Sequence, residues 1–281
     1  MQVTEHRRNI HNVLQQVRPS EPTSILVVSD VHYDSKKCDR KMLKRHFDEC
    51  LENDYAIFCN GDWFDLMGGK YDPRNNLPGN DVLPEYRGDN YIDLVIEDSY
   101  KFLDRYKHLL TVWGQGNHET SVTKRMHTNP MKRLVQMLQH AGSNVQMGGY
   151  SGYIRWQFKR QNEMHSYLMH YHHGYGGNAK RSKGILSADI DSMQHPDADI
   201  IVRGHDHNKW HLPLTVERIS HQLKPKITKV HHLRTGSYKE LGDGFGGWET
   251  QKGFGQPTIG GWWIDIYTRN GKWFSTVREA D

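Results

Sequence analysis

Residues 25–32 read ILVVSDVH: four aliphatic side chains give way at once to Ser29, Asp30 and His32. So short an apolar run fits a buried strand. A buried strand should not end in a carboxylate and an imidazole unless those groups are paired or hold a metal. Downstream, Met42, Leu43, Phe47, Cys50 and Leu51 recur at helical spacing over 37–53, and a second apolar run at 55–59 ends in Asn60-Gly61-Asp62. Strand, helix, strand in that order predicts a βαβ unit with parallel pairing.

The pattern continues. Residues 91–107 read as a helix, 109–113 as a third strand ending in Gly114-Gln115-Gly116-Asn117-His118, and Pro130 opens a helix bearing Met131, Leu134, Val135 and Leu138. Proline suits that first turn because its missing N–H is not needed there. The second half turns strand-rich, with strands predicted at 153–158, 166–171, 199–202, 230–234, 261–267 and 273–277 and a short helix within 178–195. Residues 1–20 are polar and read as a helical arm. Residues 67–90 are rich in Gly, Asn, Asp and Pro and read as a long loop. No internal repeat or low-complexity linker divides the chain, so one α/β domain over 1–281 is expected.

Composition narrows the function. The net charge of +4 with neutral histidine does not mark a dedicated nucleic-acid binder, whose basic excess would be larger and clustered. Cys38, Cys50 and Cys59 form no CxxC pair, which argues against a disulfide framework and fits a reducing compartment. The polar start and the lack of any membrane-length apolar run predict a soluble, cytoplasmic protein. The 19 histidines direct attention to clusters, because imidazole is the commonest metal ligand among side chains.

Those clusters fall at predicted strand ends: Asp30-Val31-His32, Gly61-Asp62-Trp63-Phe64-Asp65, Gly116-Asn117-His118-Glu119, His172-His173-Gly174 and Gly204-His205-Asp206-His207. Any one alone is an ordinary turn. Together they converge, since sites in open α/β sheets form beyond the carboxyl ends of strands. Carboxylate, imidazole and amide oxygen make a mixed donor set suited to Mn, Fe, Zn, Co or Ni. The candidate ligands are too many for one tetrahedral zinc. Two divalent ions about 4 Å apart can clamp the attacking and leaving oxygens of an in-line displacement and acidify a bridging water.

In order and spacing these segments resemble the calcineurin-like metallophosphoesterases, whose pattern runs D-x-H, G-D-x-x-D, G-N-H-E/D, a strand-end His and G-H-x-H. The resemblance covers residues 25 to about 240 and implies a four-layer αββα sandwich, two mixed sheets flanked by helices. It further implies that Asp30, His32 and His207 bind one metal ion, that Asn117, His173 and His205 bind a second, and that Asp62 bridges them. His118 would face the leaving group and Asp65 would orient it, with Glu119 in support. In the fourth element strand alternation separates His172 from His173; the family's habit of placing the ligand directly before Gly selects His173.

The implied activity is phosphate-ester hydrolysis by a metal-bridging hydroxide, with a small, nucleotide-derived phosphodiester or monoester as the expected substrate; Trp248, Trp262 and Trp263 are candidates to stack a base. Those tryptophans read more simply as core. Lys124, Arg125 and His127 after GNHE, and Gly174-Tyr175-Gly176-Gly177 with Lys180, Arg181 and Lys183, are candidate substrate contacts. Thr235-Gly236-Ser237 resembles the short Gly-Ser turn that follows GHxH in the family. The alternatives are a manganese-dependent DNA nuclease of the same family, for which the charge gives little support, and a non-catalytic scaffold, which a missing ligand would have signalled. A Ser/Thr protein phosphatase would carry Arg where Leu66 stands, and a purple-phosphatase-like iron site would need a Tyr near Trp63 and Phe64.

Overall fold

The run at 25–28 lies within strand β3 (Thr23–Val28), buried along its whole length. Its alternate side chains serve two different cores. Ile25 and Val27 pack between the two sheets, and Leu26 and Val28 pack under helices. A strand covered on both faces needs apolar residues at every position rather than every second one, which is why this run is continuous. The structure, a computed structural model, describes residues 1–18, 21–67, 82–176, 182–219, 222–240 and 258–281. Gly177, Lys180, Arg181, Trp248 and most of the loop expected at 67–90 lie outside these.

From β3 the chain passes through α1 (Arg40–Asn53) to β4 (Ala56–Cys59), then α2 (Tyr91–Asp104), β5 (Leu110–Trp113), α3 (Asn117–Met126), α4 (Pro130–His140) and β6 (Gln146–Met147). β3, β4, β5 and β6 pair in parallel. The C-terminal strands β12 (Gly261–Arg269) and β13 (Lys272–Ala280) complete a six-stranded mixed sheet ordered β13-β12-β3-β4-β5-β6. The second sheet takes β1 (Gln2–Arg7), β2 (Ile10–Gln16), β7 (Ser151–Arg160), β8 (Glu163–His172), β9 (Ile200–Arg203), β10 (Trp210–Ile219) and β11 (Pro225–Arg234), in the order β1-β2-β7-β8-β9-β11-β10. Its β8, β9 and β11 run parallel.

A buried apolar core joins the sheets. Phe58 and Val112 from one meet Trp156, Phe158, Met169 and Tyr171 from the other. The six-stranded sheet's other face is covered by α1, α2 and α4 through Phe47, Leu103 and Leu134. Across the seven-stranded sheet lies α5 (Ser187–Gln194), held largely by polar contacts: Asp191 accepts from Nε and one Nη along a single edge of the Arg203 guanidinium, and Ser192 bonds His232 at 2.9 Å. The expected four-layer αββα order, two mixed sheets between helices, is therefore present.

Three local expectations fail. Residues 1–16 are a β-hairpin and not a helical arm, with His11, Val13 and Gln15 inward at a period of two; Asn9 takes a left-handed φ of 61° at the turn. The polar composition hid that alternation. β10 was overlooked because of Pro213, which an edge strand tolerates since one row of N–H groups needs no partner. α3 begins at Asn117 itself, inside a segment read as a strand-end loop. Trp262 and Trp263 are core residues at 4% and 1% exposure, so neither offers a face to a base. Among the described residues no helix is long and apolar enough to cross a membrane.

Buried neutral histidines make the fold acid-sensitive. Burial lowers His46 and His231 to about 4 from an ordinary 6.5. Between those values the unfolded chain binds more protons than the folded one, so this stability is present above pH 6.5 and lost as pH falls toward 4. Urea unfolding at pH 7 and pH 5 should show a loss on the order of 1 kcal/mol per such histidine; identical midpoints would contradict the assignment.

Candidate metal centre

Every predicted cluster sits just past the carboxyl end of its strand: Asp30 and His32 after β3, Asp62 and Asp65 after β4, Asn117 and His118 after β5, His173 after β8, and His205 and His207 after β9. The parallel strands of both sheets point the same way, so these ends meet at one rim. The backbone is bent hard there. Asp30 (φ 51°), His32 (50°), Asp62 (49°), His205 (78°) and His207 (54°) are all left-handed without being glycine. Each such residue costs roughly 1–2 kcal/mol. Strain of this kind persists where surrounding structure over-determines it, and it gathers at functional sites.

The side chains form groups with ligand-capable atoms within 4.8 Å of one another: Asp30 with His32 and His207, Asp62 with His173 and His205, and His32 with Asp65 and His118. In the first, Asp30 Oδ1 lies 3.4 Å from His207 Nε2, and His32 Nε2 lies 3.4 Å from the same nitrogen. In the second, His173 Nε2 is 3.1 Å from Asp62 Oδ2 and 3.2 Å from Asn117 Oδ1, and His205 Nδ1 is 2.7 Å from that amide oxygen. His172 belongs to neither group; its Nδ1 accepts the Gly174 N–H at 2.8 Å, and its ring meets Tyr150 and Tyr175.

Three of the rings are tied at the outer nitrogen, and a fourth faces a carboxylate there. His173 Nδ1 donates to Asn60 O (2.9 Å), His205 Nε2 to Gly176 O (3.1 Å) and His118 Nδ1 to Asp65 O (2.5 Å). His32 Nδ1 lies 2.8 Å from Asp65 Oδ1, which its N–H meets obliquely. Such outer contacts fix tautomer and orientation, leaving the other nitrogen free for a cation. Asp65 touches His118 through its carbonyl, the carboxylate standing 3.8 Å away.

Two further buried carboxylates hold the loop that bears Asp62 and Asp65. Glu119 accepts the N–H groups of Asp62 (3.2 Å), Phe64 (3.0 Å) and Gly116 (2.8 Å). Asp34 accepts those of Asp65 (2.6 Å) and Leu66 (3.0 Å) and the Tyr91 hydroxyl (2.7 Å). Sequence reading missed Asp34 and Lys239, whose Nζ lies 3.2 and 3.3 Å from the two Asp65 oxygens. Asp34, two residues beyond His32, was the one with a discoverable signal. Lys124, Arg125 and His127 lie at the far end of α3, and Lys183 is exposed.

Burial alone would push these carboxylates up. For Asp30 it is outweighed by His173 and His207, which hold it at about 2, and for Asp62 by His173 and His118, which hold it well below the usual range. His173 shows the reciprocal effect: burial lowers it, but Asp62 and Asp30 raise it to about 10. Glu119 is pushed up to about 7 by burial and then by Asp62. The donor set fits divalent cations. Asp30 Oδ1 is buried with no hydrogen-bond partner while Oδ2 takes Ser29 Oγ and the His205 N–H; an orphaned carboxylate oxygen facing two imidazoles is what a cation would satisfy.

The sequence profile of calcineurin-like phosphoesterases matches residues 23–209. This chain belongs to that family. As a family member it carries a phosphoesterase domain with candidate metal-binding clusters. No curated protein sequence matches it. Among solved structures it is similar to Vps29 of Entamoeba histolytica complexed with zinc (11% identity, TM-score 0.37, covering 92% of this chain and 100% of that one). Others are an uncharacterised predicted phosphoesterase of Streptococcus pneumoniae (13%, 0.34, 93% and 92%) and GAP50 of Plasmodium, described as the anchor in the inner membrane complex (14%, 0.45, 92% and 85%).

Close packing supplies a test of this geometry. A Cβ on Gly116 would stand 2.0 Å from Asp62 Oδ1, so Gly116→Ala must displace that carboxylate. Calorimetric titration of the metal-free variant with Mn or Zn should show affinity reduced on the order of 100-fold. Unchanged binding would mean that Asp62 is no ligand.

Proposed function

We propose that this chain is a binuclear-metal phosphoesterase, acting on phosphate diesters and also on monoesters. One observation carries the reading: the rings of His32, His173 and His205 are each anchored on the outside, and their inner nitrogens converge with Asp30, Asp62 and Asn117 oxygens on two adjacent points. Asp30, His32 and His207 would hold one cation, Asn117, His173 and His205 the other, and Asp62 would serve both. Mn, Fe, Zn, Co or Ni would suit the donors. When bound, such cations supply the Lewis acidity that polarises a phosphoryl oxygen and acidifies a water.

The chain's own residues do the rest. Asp62 is aligned by the His118 N–H, which meets its Oδ1 at 2.9 Å at the start of α3, where helix N–H groups and dipole favour an anion. His118 keeps 11% side-chain exposure against 0% for His173, so it alone of these two can be approached by a leaving group. With Nδ1–H given to Asp65 O, Nε2 is the atom left to bring a proton to the departing oxygen. Its 3.9 Å separation from Asp62 Oδ2 keeps that nitrogen beside the reacting centre.

The test is to strip the protein with a chelator, add back Mn, Fe, Zn, Co or Ni singly, and assay a nitrophenyl monoester, a bis-nitrophenyl diester, cyclic nucleotides and single-stranded DNA. Cation-dependent turnover of the small esters, with the diester preferred, is expected. Asp62→Asn and His207→Ala should lose metal and nearly all activity. His118→Ala should keep metal and lose roughly 10²–10⁴-fold in kcat. Full activity in Asp62→Asn would falsify the reading, and DNA as the sole substrate would replace it with a nuclease.

A further inference from the structure

Residues 235–239 form a strap along the back of the centre, outside the matched family segment. Ser237 Oγ donates to Asp30 O at 2.7 Å, and the Tyr238 N–H reaches the same oxygen at 3.2 Å. Tyr238 is itself anchored, its hydroxyl 2.9 Å from His46 Nδ1 in α1. Lys239 follows, 5% exposed, with its N–H on Ser237 Oγ at 2.9 Å and its ammonium on both Asp65 oxygens. A buried ammonium is retained only against a matching charge. Asp65 in turn presents Oδ1 to His32 Nδ1, and its main chain carries the contacts to Asp34 and His118.

We propose that Lys239 is a positioning residue for one half of the centre: its ammonium holds the Asp65 carboxylate against His32 Nδ1, so that His32 turns Nε2 toward the point it shares with Asp30 and His207. The proposal rests on the metal-centre reading above. The strap thus fixes both residues of the Asp-x-His segment, Asp30 through its carbonyl and His32 through Asp65. Among the described residues, the outer nitrogens of His173 and His205 are held instead by the main-chain carbonyls of Asn60 and Gly176. Loss of the ammonium lets Asp65 swing away, and His32 loses the acceptor that sets its tautomer. One cation position loosens while the other stays intact.

The experiment compares Lys239→Met, Lys239→Arg, Asp65→Asn and the Lys239→Met/Asp65→Asn double variant. Metal-free proteins are titrated calorimetrically with Mn and with Zn. Lys239→Met should weaken one of two binding events about 10–100-fold, the range for outer-sphere partners, with the other unchanged and KM little moved while kcat falls. Lys239→Arg should recover much of the loss. Because both act through one contact, the double variant should be no worse than Asp65→Asn alone, a non-additivity expected of directly interacting residues. Ring ¹⁵N spectra of the metal-free proteins, with His32 assigned through His32→Gln, should show its Nδ1–H form in the wild type and a mixture of forms in Lys239→Met. Wild-type affinity and an unchanged His32 signal in Lys239→Met overturn the proposal, as do additive losses in the double variant or equal weakening of both events with a lowered melting temperature. A wild type that binds no pair of cations sinks the metal-centre reading; the His32 spectra then still decide whether Lys239 sets that ring.

Discussion

Two buried aspartates opposed by imidazoles are the constraint on which this rim is built. Asp30 is fully buried and Asp62 nearly so, and neither can be desolvated without opposite charge within a few ångströms. At a separation of 4 Å and the effective dielectric of a protein site, one such pairing is worth about 4 kcal/mol before desolvation. That exceeds the left-handed penalty at any single residue here, roughly 1–2 kcal/mol. The left-handed backbone of Asp30 and Asp62 is therefore tolerated where their carboxylates meet His173 and His207.

The same constraint explains why two sheets are needed. The six-stranded sheet contributes Asp30, His32, Asp62 and Asn117, and the seven-stranded sheet contributes His173, His205 and His207. The aspartates and imidazoles that balance each other thus come largely from opposite sheets. Their separation is set by the buried apolar layer of Phe58, Val112, Trp156 and Met169 between the sheets; close-packed interiors transmit small displacements rather than absorbing them. Asp34 and Glu119 have a different task. Their carboxylates turn toward main-chain N–H groups of the Asp62–Leu66 loop, so four acidic residues share a small volume with distinct partners.

Much of this was legible in the sequence. A strand buried on both faces announces itself by an unbroken apolar run, and a run that stops at Asp30 or Asp62 announces a site. The ligand-capable residues were legible because their chemistry is out of place at the end of such strands. What escaped notice has a physical explanation in each case. The β1–β2 hairpin hid behind polar residues because only one of its faces is buried. Pro213 masked an edge strand. Lys239 was invisible because its partner Asp65 lies 174 positions away, and nothing local distinguishes a lysine that will be buried against a carboxylate from one in solvent. Asp65 meets His118 through its main-chain carbonyl while its carboxylate stands 3.8 Å away, and the direction of a carbonyl cannot be read from a sequence.

The arrangement also bears on whether the fold serves chemistry or only presents a surface. A surface for partners would require the sheet faces and loops to be held, and the two apolar cores already do that. It would not require imidazoles tied at their outer nitrogens and turned inward. Nor would it require an aspartate oxygen left without a hydrogen-bond partner, or a glycine at the start of α3 whose missing Cβ leaves room for the Asp62 carboxylate. The orphaned carboxylate oxygen and the left-handed backbone beside it lower the stability of the metal-free chain. Together they fit a rim built to receive something positively charged and oxygen-seeking.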